Sequence, residues 1–299
     1  MKPFTMTPCR SLLFLATALL VLLQTSCQKQ PQDSHNAAPA PAPASVYDSV
    51  LKGGTIRVAF VSYPPGCIVD PNTKAVSGIF PEVLRRIGEN LGLKVEYTEE
   101  VGWGTMIAGL DAGRYDIIGS PVWANPARGK AAMLSRPVYY SGIGVWVRPD
   151  ETRFSPQDNW SSINSPDVRI AAMDGSTPLV IARSLFPKAK VISYPDLTGE
   201  SQLFLDVTGN KADVFFAEPA VGINFLKNNP GKLRNIAADH PIKIVPTGFM
   251  VKRGEFQFKA MMDTALEDLQ NSGFVDQVIT KYEPGPNAIY RLALPYRTK

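Results

Sequence analysis

Histidine and cysteine are scarce in this chain, and their scarcity removes several chemistries at once. Of 299 residues, two are histidine and three are cysteine. His35 and His240 stand far apart in sequence, so neither a histidine metal cluster nor a histidine-based catalytic pair has support, and no cofactor or metal is expected. Cys9 and Cys27 flank an N-terminal apolar run, which leaves Cys67 as the candidate thiol, read as a small buried filler; a Cys27 to Cys67 bridge stays open if Cys27 is unmodified. A long apolar run is missing too. The uncharged stretch Ser11 to Leu23 is too short to span a bilayer and suits the core of a secretory signal. Charge of one sign is also lacking: 31 basic against 27 acidic residues is no polyelectrolyte signature, so nucleic acid is not expected as a partner. Gly142-Ile143-Gly144 lacks the third glycine of a dinucleotide loop, and Gly175-Ser176 is not a nucleophile elbow.

What is present begins with Lys2 and Arg10 ahead of that run and Gln24-Thr25-Ser26-Cys27 after it. Residues 1–26 are read as a signal peptide and the chain as exported. The Thr-Ser-Cys end resembles the box at which bacterial lipoproteins are cleaved and lipidated, with Gln24 where an aliphatic residue is usual. Cys27 is therefore the expected lipidation site, with plain secretion as the alternative. Residues 27–49, rich in proline and alanine, read as a tether from membrane to domain. About 250 residues follow, enough for a sizeable core without staples, and no internal repeat is evident.

The remaining chain alternates strand and helix patterns, which spells an α/β fold. Thr55 to Val61 is a buried strand; Phe80, Val83, Leu84, Ile87 and Leu91 recur at helical spacing before Gly92; Leu93 to Tyr97 is a second strand. A short helix ending at Gly113 leads into a strand over 116–119 and then a polar loop carrying Ser120, Trp123, Asn125 and Arg128. Tyr139 to Val147 is a long strand. A second series follows: strand Val168 to Met173, a turn at Asp174 to Pro178 into a helix, strand Val191 to Tyr194, a helix with Leu203, Phe204 and Val207, and a strand ending at Glu218. Ile242 to Lys252 is extended, two helices close the pattern, and residues 284–299 lie beyond it.

In order and spacing, these pieces resemble the family 3 solute-binding proteins, the amino-acid-type receptors of ABC importers, over about residues 50 to 283. The carriers are Tyr63-Pro64-Pro65, the segment Gly78 to Gly88, the segment Trp103 to Asp116, the degraded motif from Arg128 to Tyr140, and Gly209 to Glu218. The resemblance implies two lobes joined by two hinge strands near residues 141–148 and 240–248, with ligand closing the cleft between them. Lobe 1 would comprise residues 50–142 and 246–283, and lobe 2 residues 143–245, in a monomer served by an ABC permease.

The resemblance also assigns roles. Arg128, twelve residues after Asp116, would clamp a carboxylate with its planar guanidinium fork, although spacing alone favours a solvated arginine beside Lys130. Ser176 and Thr177 match a helix-opening turn suited to an anion, and could equally be an ordinary cap. Tyr63 and Trp103 would wall the ligand; Ser120 would offer one hydrogen bond or simply end its strand. Glu218 matches the residue that receives the ligand's amino group. Trp123 stands where amino-acid receptors often place a small hydroxyl residue, so the amine half of the site looks altered. Two other readings compete: a periplasmic dehydratase-like enzyme with Glu218 as general acid, and a ligand-sensing lipoprotein not linked to transport.

Overall fold

The computed structural model describes residues 44–292. The expected signal peptide, the lipidation site Cys27 and most of the tether lie outside the described residues, as do residues 293–299. The first series comprises α1 (Val46–Gly53), β1 (Thr55–Phe60), β2 (Ile68–Val69), β3 (Val76–Ser77), α2 (Ile79–Leu91), β4 (Lys94–Glu100), α3 (Met106–Asp111), β5 (Ile117–Trp123), α4 (Pro126–Ala131) and β6 (Ala132–Leu134). The long strand β7 (Tyr139–Val147) then leads to the second series: β8 (Arg169–Met173), α5 (Thr177–Leu185), β9 (Lys190–Tyr194), α6 (Glu200–Thr208), β10 (Val214–Ala217), α7 (Pro219–Asn228) and β11 (Arg234–Asn235). The chain returns along β12 (Lys243–Lys252) to α8 (Phe256–Asn271) and α9 (Phe274–Tyr282).

The strand order β4-β1-β5-β12-β7-β10-β8-β9 places two parallel triplets at the flanks and two antiparallel strands at the centre. The central pair carries the connection between halves. The first residues of β12 pair with β7 (Lys243 opposite Ile143, Thr247 opposite Tyr139), and its later ones pair with β5. Likewise β7 leaves β12 to pair with β10 over Gly144 to Trp146. Each long strand thus runs from one half into the other, as two hinge strands must.

Local chemistry explains the elements. Along α2, Ile79, Phe80, Val83, Leu84 and Ile87 are wholly buried on one face, each contributing on the order of 1.5–3 kcal/mol. Gly92 ends the helix at φ 67°, a conformation that glycine adopts without steric cost. Gly88 lets α2 approach β4, since a methyl there would meet Val95 Cγ2 at 2.5 Å.

The two halves share one locking device although no repeat shows in sequence. Asp116 accepts from the Arg57 backbone N–H (2.8 Å) and pairs with the Arg57 guanidinium (2.6 Å). Asp213 does the same for Arg169, at 2.9 Å to the N–H and 3.0 Å to Nε. In each half an aspartate just before one strand ties it to the first strand of its triplet.

Within the described residues, parts of the expected tether and tail take defined positions. The tether, expected over 27–49, gives way at Val46 to α1; Ser45 caps this helix and Val50 is buried in the first core. The expected tail also packs: Ala288 and Ile289 are buried, and Tyr290 forms an antiparallel bridge with Tyr140 of β7. Cys67 is free and buried, consistent with its reading as a filler. Among the described residues, no helix is long and apolar enough to cross a membrane.

Candidate functional site

The cleft between the halves is built around β5, which is longer than its sequence pattern. The strand was expected to stop at Gly119, with Ser120 and Trp123 in a loop; instead it continues to Trp123, every residue buried. The partner is β12, whose Gly248 and Thr247 face Val122 and Trp123. Its register shifts between Gly248 and Met250, near Pro121, which has no N–H to give. Immediately after, Asn125 caps α4 by accepting from the Arg128 N–H at 2.9 Å, and Pro126 occupies the first turn.

Arg128 therefore starts from a fixed backbone, and its side chain lies inside the cleft rather than on an open surface. It is 6% exposed. One Nη1 donates to the Trp123 carbonyl (3.0 Å) and to Thr177 Oγ1 (3.3 Å), Nη2 donates to the Gly175 carbonyl (3.3 Å), and the guanidinium stands 5.5 Å from the Trp103 ring centroid. All three acceptors are neutral. Burial lowers its pKa from 12.5 to about 10, and no carboxylate counteracts this.

Thr177 opens α5 from the opposite half and also accepts from Asn125 Nδ2 at 3.2 Å. Ser176 caps the same helix; its hydroxyl donates to the Met173 carbonyl (2.7 Å) and accepts from Leu179 (3.4 Å), and its N–H goes to Met173 as well. Pro178 stands in the first turn of that helix. Tyr63 stands edge-to-face with both Trp103 (5.8 Å) and Trp123 (6.2 Å), forming an aromatic wall. Tyr63, Trp103, Trp123, Arg128, Ser176 and Thr177 line one cleft together with Met173, Phe215 and Phe216.

Two expected residues are not among those lining this space. The Ser120 hydroxyl is wholly buried between strands, accepting from the Val61 N–H (2.7 Å) and donating to the Val61 carbonyl (2.9 Å). Glu218 lies behind Trp123, one oxygen accepting from Trp123 Nε1 (3.3 Å) and the other from Ser141 Oγ (2.9 Å), whose hydroxyl also meets Thr247 Oγ1 at 2.8 Å. Glu218 is thereby joined to β5 and to both central strands. Burial raises its pKa to about 7, partly offset by the hydrogen bonds from Ser141, Trp123 and Tyr63.

The acidic group that does line the cleft is Glu200, which sequence reading passed over. It begins α6 and is 7% exposed. Burial raises its pKa to about 8; its own backbone N–H and Trp103 oppose the shift, and Glu218 adds to it. No basic group acts on either carboxyl. A glutamate in a first helical turn is ordinary, so its sequence carried no signal of a site. Among the described residues there is no cluster of three or more His, Cys, Asp or Glu to hold a metal.

Two α/β halves, two crossing strands and an enclosed polar-and-aromatic cleft define a binding-protein architecture. The sequence agrees: residues 56–285 match the bacterial extracellular solute-binding proteins, family 3, and the chain belongs to that family. It is 25% identical over 234 residues to a probable amino-acid ABC transporter-binding protein of Haemophilus influenzae, covering 78% of this chain and 86% of that protein. It is 22% identical to the L-cystine-binding protein TcyA of Bacillus subtilis, covering 90% and 95%. In fold it is similar to the ancestral amino acid-binding protein AncCDT-1, a precursor of cyclohexadienyl dehydratase, at a TM-score of 0.69 and 24% identity over 80% of this chain and all of that one. The cysteine-binding protein from Campylobacter jejuni superposes at 0.70 with 17% identity, over 84% of this chain and all of that one. The two-lobe fold of these receptors is the fold of this chain.

Proposed function

We propose that this protein is an extracytoplasmic receptor that captures a small amino acid or close derivative, closes on it about β7 and β12, and presents it to an ABC permease. The observation that carries this reading is charge without partners. The Arg128 guanidinium is buried in the cleft, donates only to the neutral oxygens of Trp123, Thr177 and Gly175, and meets no carboxylate. Burying unpaired charge costs several kcal/mol, so an empty closed cleft is disfavoured and a ligand supplying the missing partners favours closure.

In this reading Arg128 and Thr177 grip the ligand's carboxylate across the two halves, with Ser176 holding the turn. Tyr63, Trp103 and Trp123 wall the apolar part. Residues 50–142 with 246–283 form one lobe and 143–245 the other; the protein acts as a monomer held at a membrane through lipid on Cys27. The relatives named as amino-acid-binding proteins support the ligand class.

The test is thermal denaturation of the purified domain with a panel of amino acids and small carboxylates, for wild type and Arg128→Ala. Wild type is expected to gain several degrees with at least one amino acid and the variant none. A variant that keeps full affinity in calorimetry sinks the carboxylate-grip assignment, and a wild type that responds to nothing sinks the receptor. The dehydratase reading draws on the carboxyl groups held protonated near neutral pH, but Glu218 does not line the cleft. Product release from prephenate-like compounds would favour it.

A further inference from the structure

Two buried acids stand near the cleft, and of the two Glu200 alone lines it. Glu218 has both oxygens engaged, by Trp123 Nε1 on one side and the Ser141 hydroxyl on the other, and it sits behind the aromatic wall. Freeing it means breaking contacts that tie β10's end to β5 and to both central strands. Glu200 has a different setting. It borders the inner cleft and also two outer grooves, one lined by Glu100 and Asp196, the other by Asn224 and Asn228. It therefore stands where the cleft adjoins two neighbouring grooves, one of them acidic, and Arg128 lines the same cleft from another element.

We propose that Glu200, rather than Glu218, is the residue that selects the ligand by receiving its ammonium or amidinium group, and that Glu218 is a positioning residue fastening the central strands to the wall. This assignment rests on the receptor reading above. It makes the ligand a zwitterion whose carboxylate lies on Arg128 and whose cation lies on Glu200. The geometry explains how a tryptophan can occupy position 123: with Trp123 Nε1 holding Glu218, that carboxyl supports the wall, and cation recognition passes to the next acid along the cleft. Loss of one charged hydrogen bond predicts a drop in affinity of about 10- to 100-fold.

The experiment uses wild type, Glu200→Gln, Glu200→Asp and Glu218→Gln, with circular dichroism to confirm folding. Calorimetry is run with L-lysine, L-arginine, L-glutamine and L-cystine, and with the amine-free acids hexanoate and glutarate. For an amino acid that binds wild type, Glu200→Gln is expected to lose about 10- to 100-fold in affinity and its preference over the amine-free acids. Glu200→Asp should retain part of that preference, and Glu218→Gln should retain it in full even where overall affinity falls. Wild-type binding that survives Glu200→Gln, or that falls equally for amine-free acids, overturns the assignment while leaving the receptor reading standing. Wild type binding none of the probes overturns the receptor reading and this assignment with it.

Discussion

Replacing Arg128 by methionine separates a buried charge that stabilises the fold from one kept for a ligand. In the cleft its pKa falls from 12.5 to about 10. A base whose pKa is lowered on folding penalises the folded state at every pH below the lowered value, so the penalty is complete at neutral pH. At roughly 1.4 kcal/mol per unit it amounts to about 3–4 kcal/mol. Against it stand hydrogen bonds of 3.0, 3.3 and 3.3 Å to neutral oxygens. At roughly 0.5–1.5 kcal/mol each, and with two of them long, they contribute about 2 kcal/mol. The two sides offset each other to within about 2 kcal/mol. Arg128→Met, which keeps the stem's packing and drops the charge, is therefore expected to leave unfolding stability in urea within about 2 kcal/mol of wild type, a shift of roughly 4–8 °C or less. Ligand-induced stabilisation should vanish. Breaking a buried ion pair would instead cost about 3–5 kcal/mol. A loss of that size in the unliganded protein would show that Arg128 is paired within the chain, and would refute the argument that its partner comes from outside.

Two further outcomes follow from the site's surroundings. Ser120→Ala leaves the Val61 N–H and carbonyl without their partner and should cost about 1–3 kcal/mol in urea unfolding with ligand affinity unchanged; the reverse pattern would return the hydroxyl to the binding site. Burial raises the pKa of Glu218 to about 7 and that of Glu200 to about 8, whereas unfolded glutamates release their protons near the ordinary 4.5. The folded state thus binds more protons across that window, so unliganded stability should fall as pH rises from about 5 to 8. A urea midpoint that is flat across this range in wild type, or unchanged in slope in Glu218→Gln, would contradict the raised values.

Much of this protein is legible along the chain because local chemistry decides it. The helical spacing from Ile79 to Leu91, the left-handed stop at Gly92 and the β-branched run of β1 need nothing distant to form. Order and spacing of such pieces identify the family, and with it the expectation that Arg128, Thr177, Tyr63 and Trp103 belong to a site. Tertiary structure decided the rest. The extension of β5 through Ser120 and Trp123 depends on pairing with a strand more than a hundred residues later. The matched aspartate locks at Arg57 and Arg169 leave no detectable repeat, since one ion pair needs only two residues in place. Above all, the roles of the two acids could not be read from residue type. Glu218 follows a recognisable strand, yet it is consumed by Trp123 and Ser141, while Glu200 follows an unremarkable turn, yet it faces the cleft. The sequence determined which charges the chain carries; which of them line the cleft and which lie hydrogen-bonded away from it depends on contacts such as that of Trp123 with Glu218, 95 residues apart, and only the folded arrangement sets those.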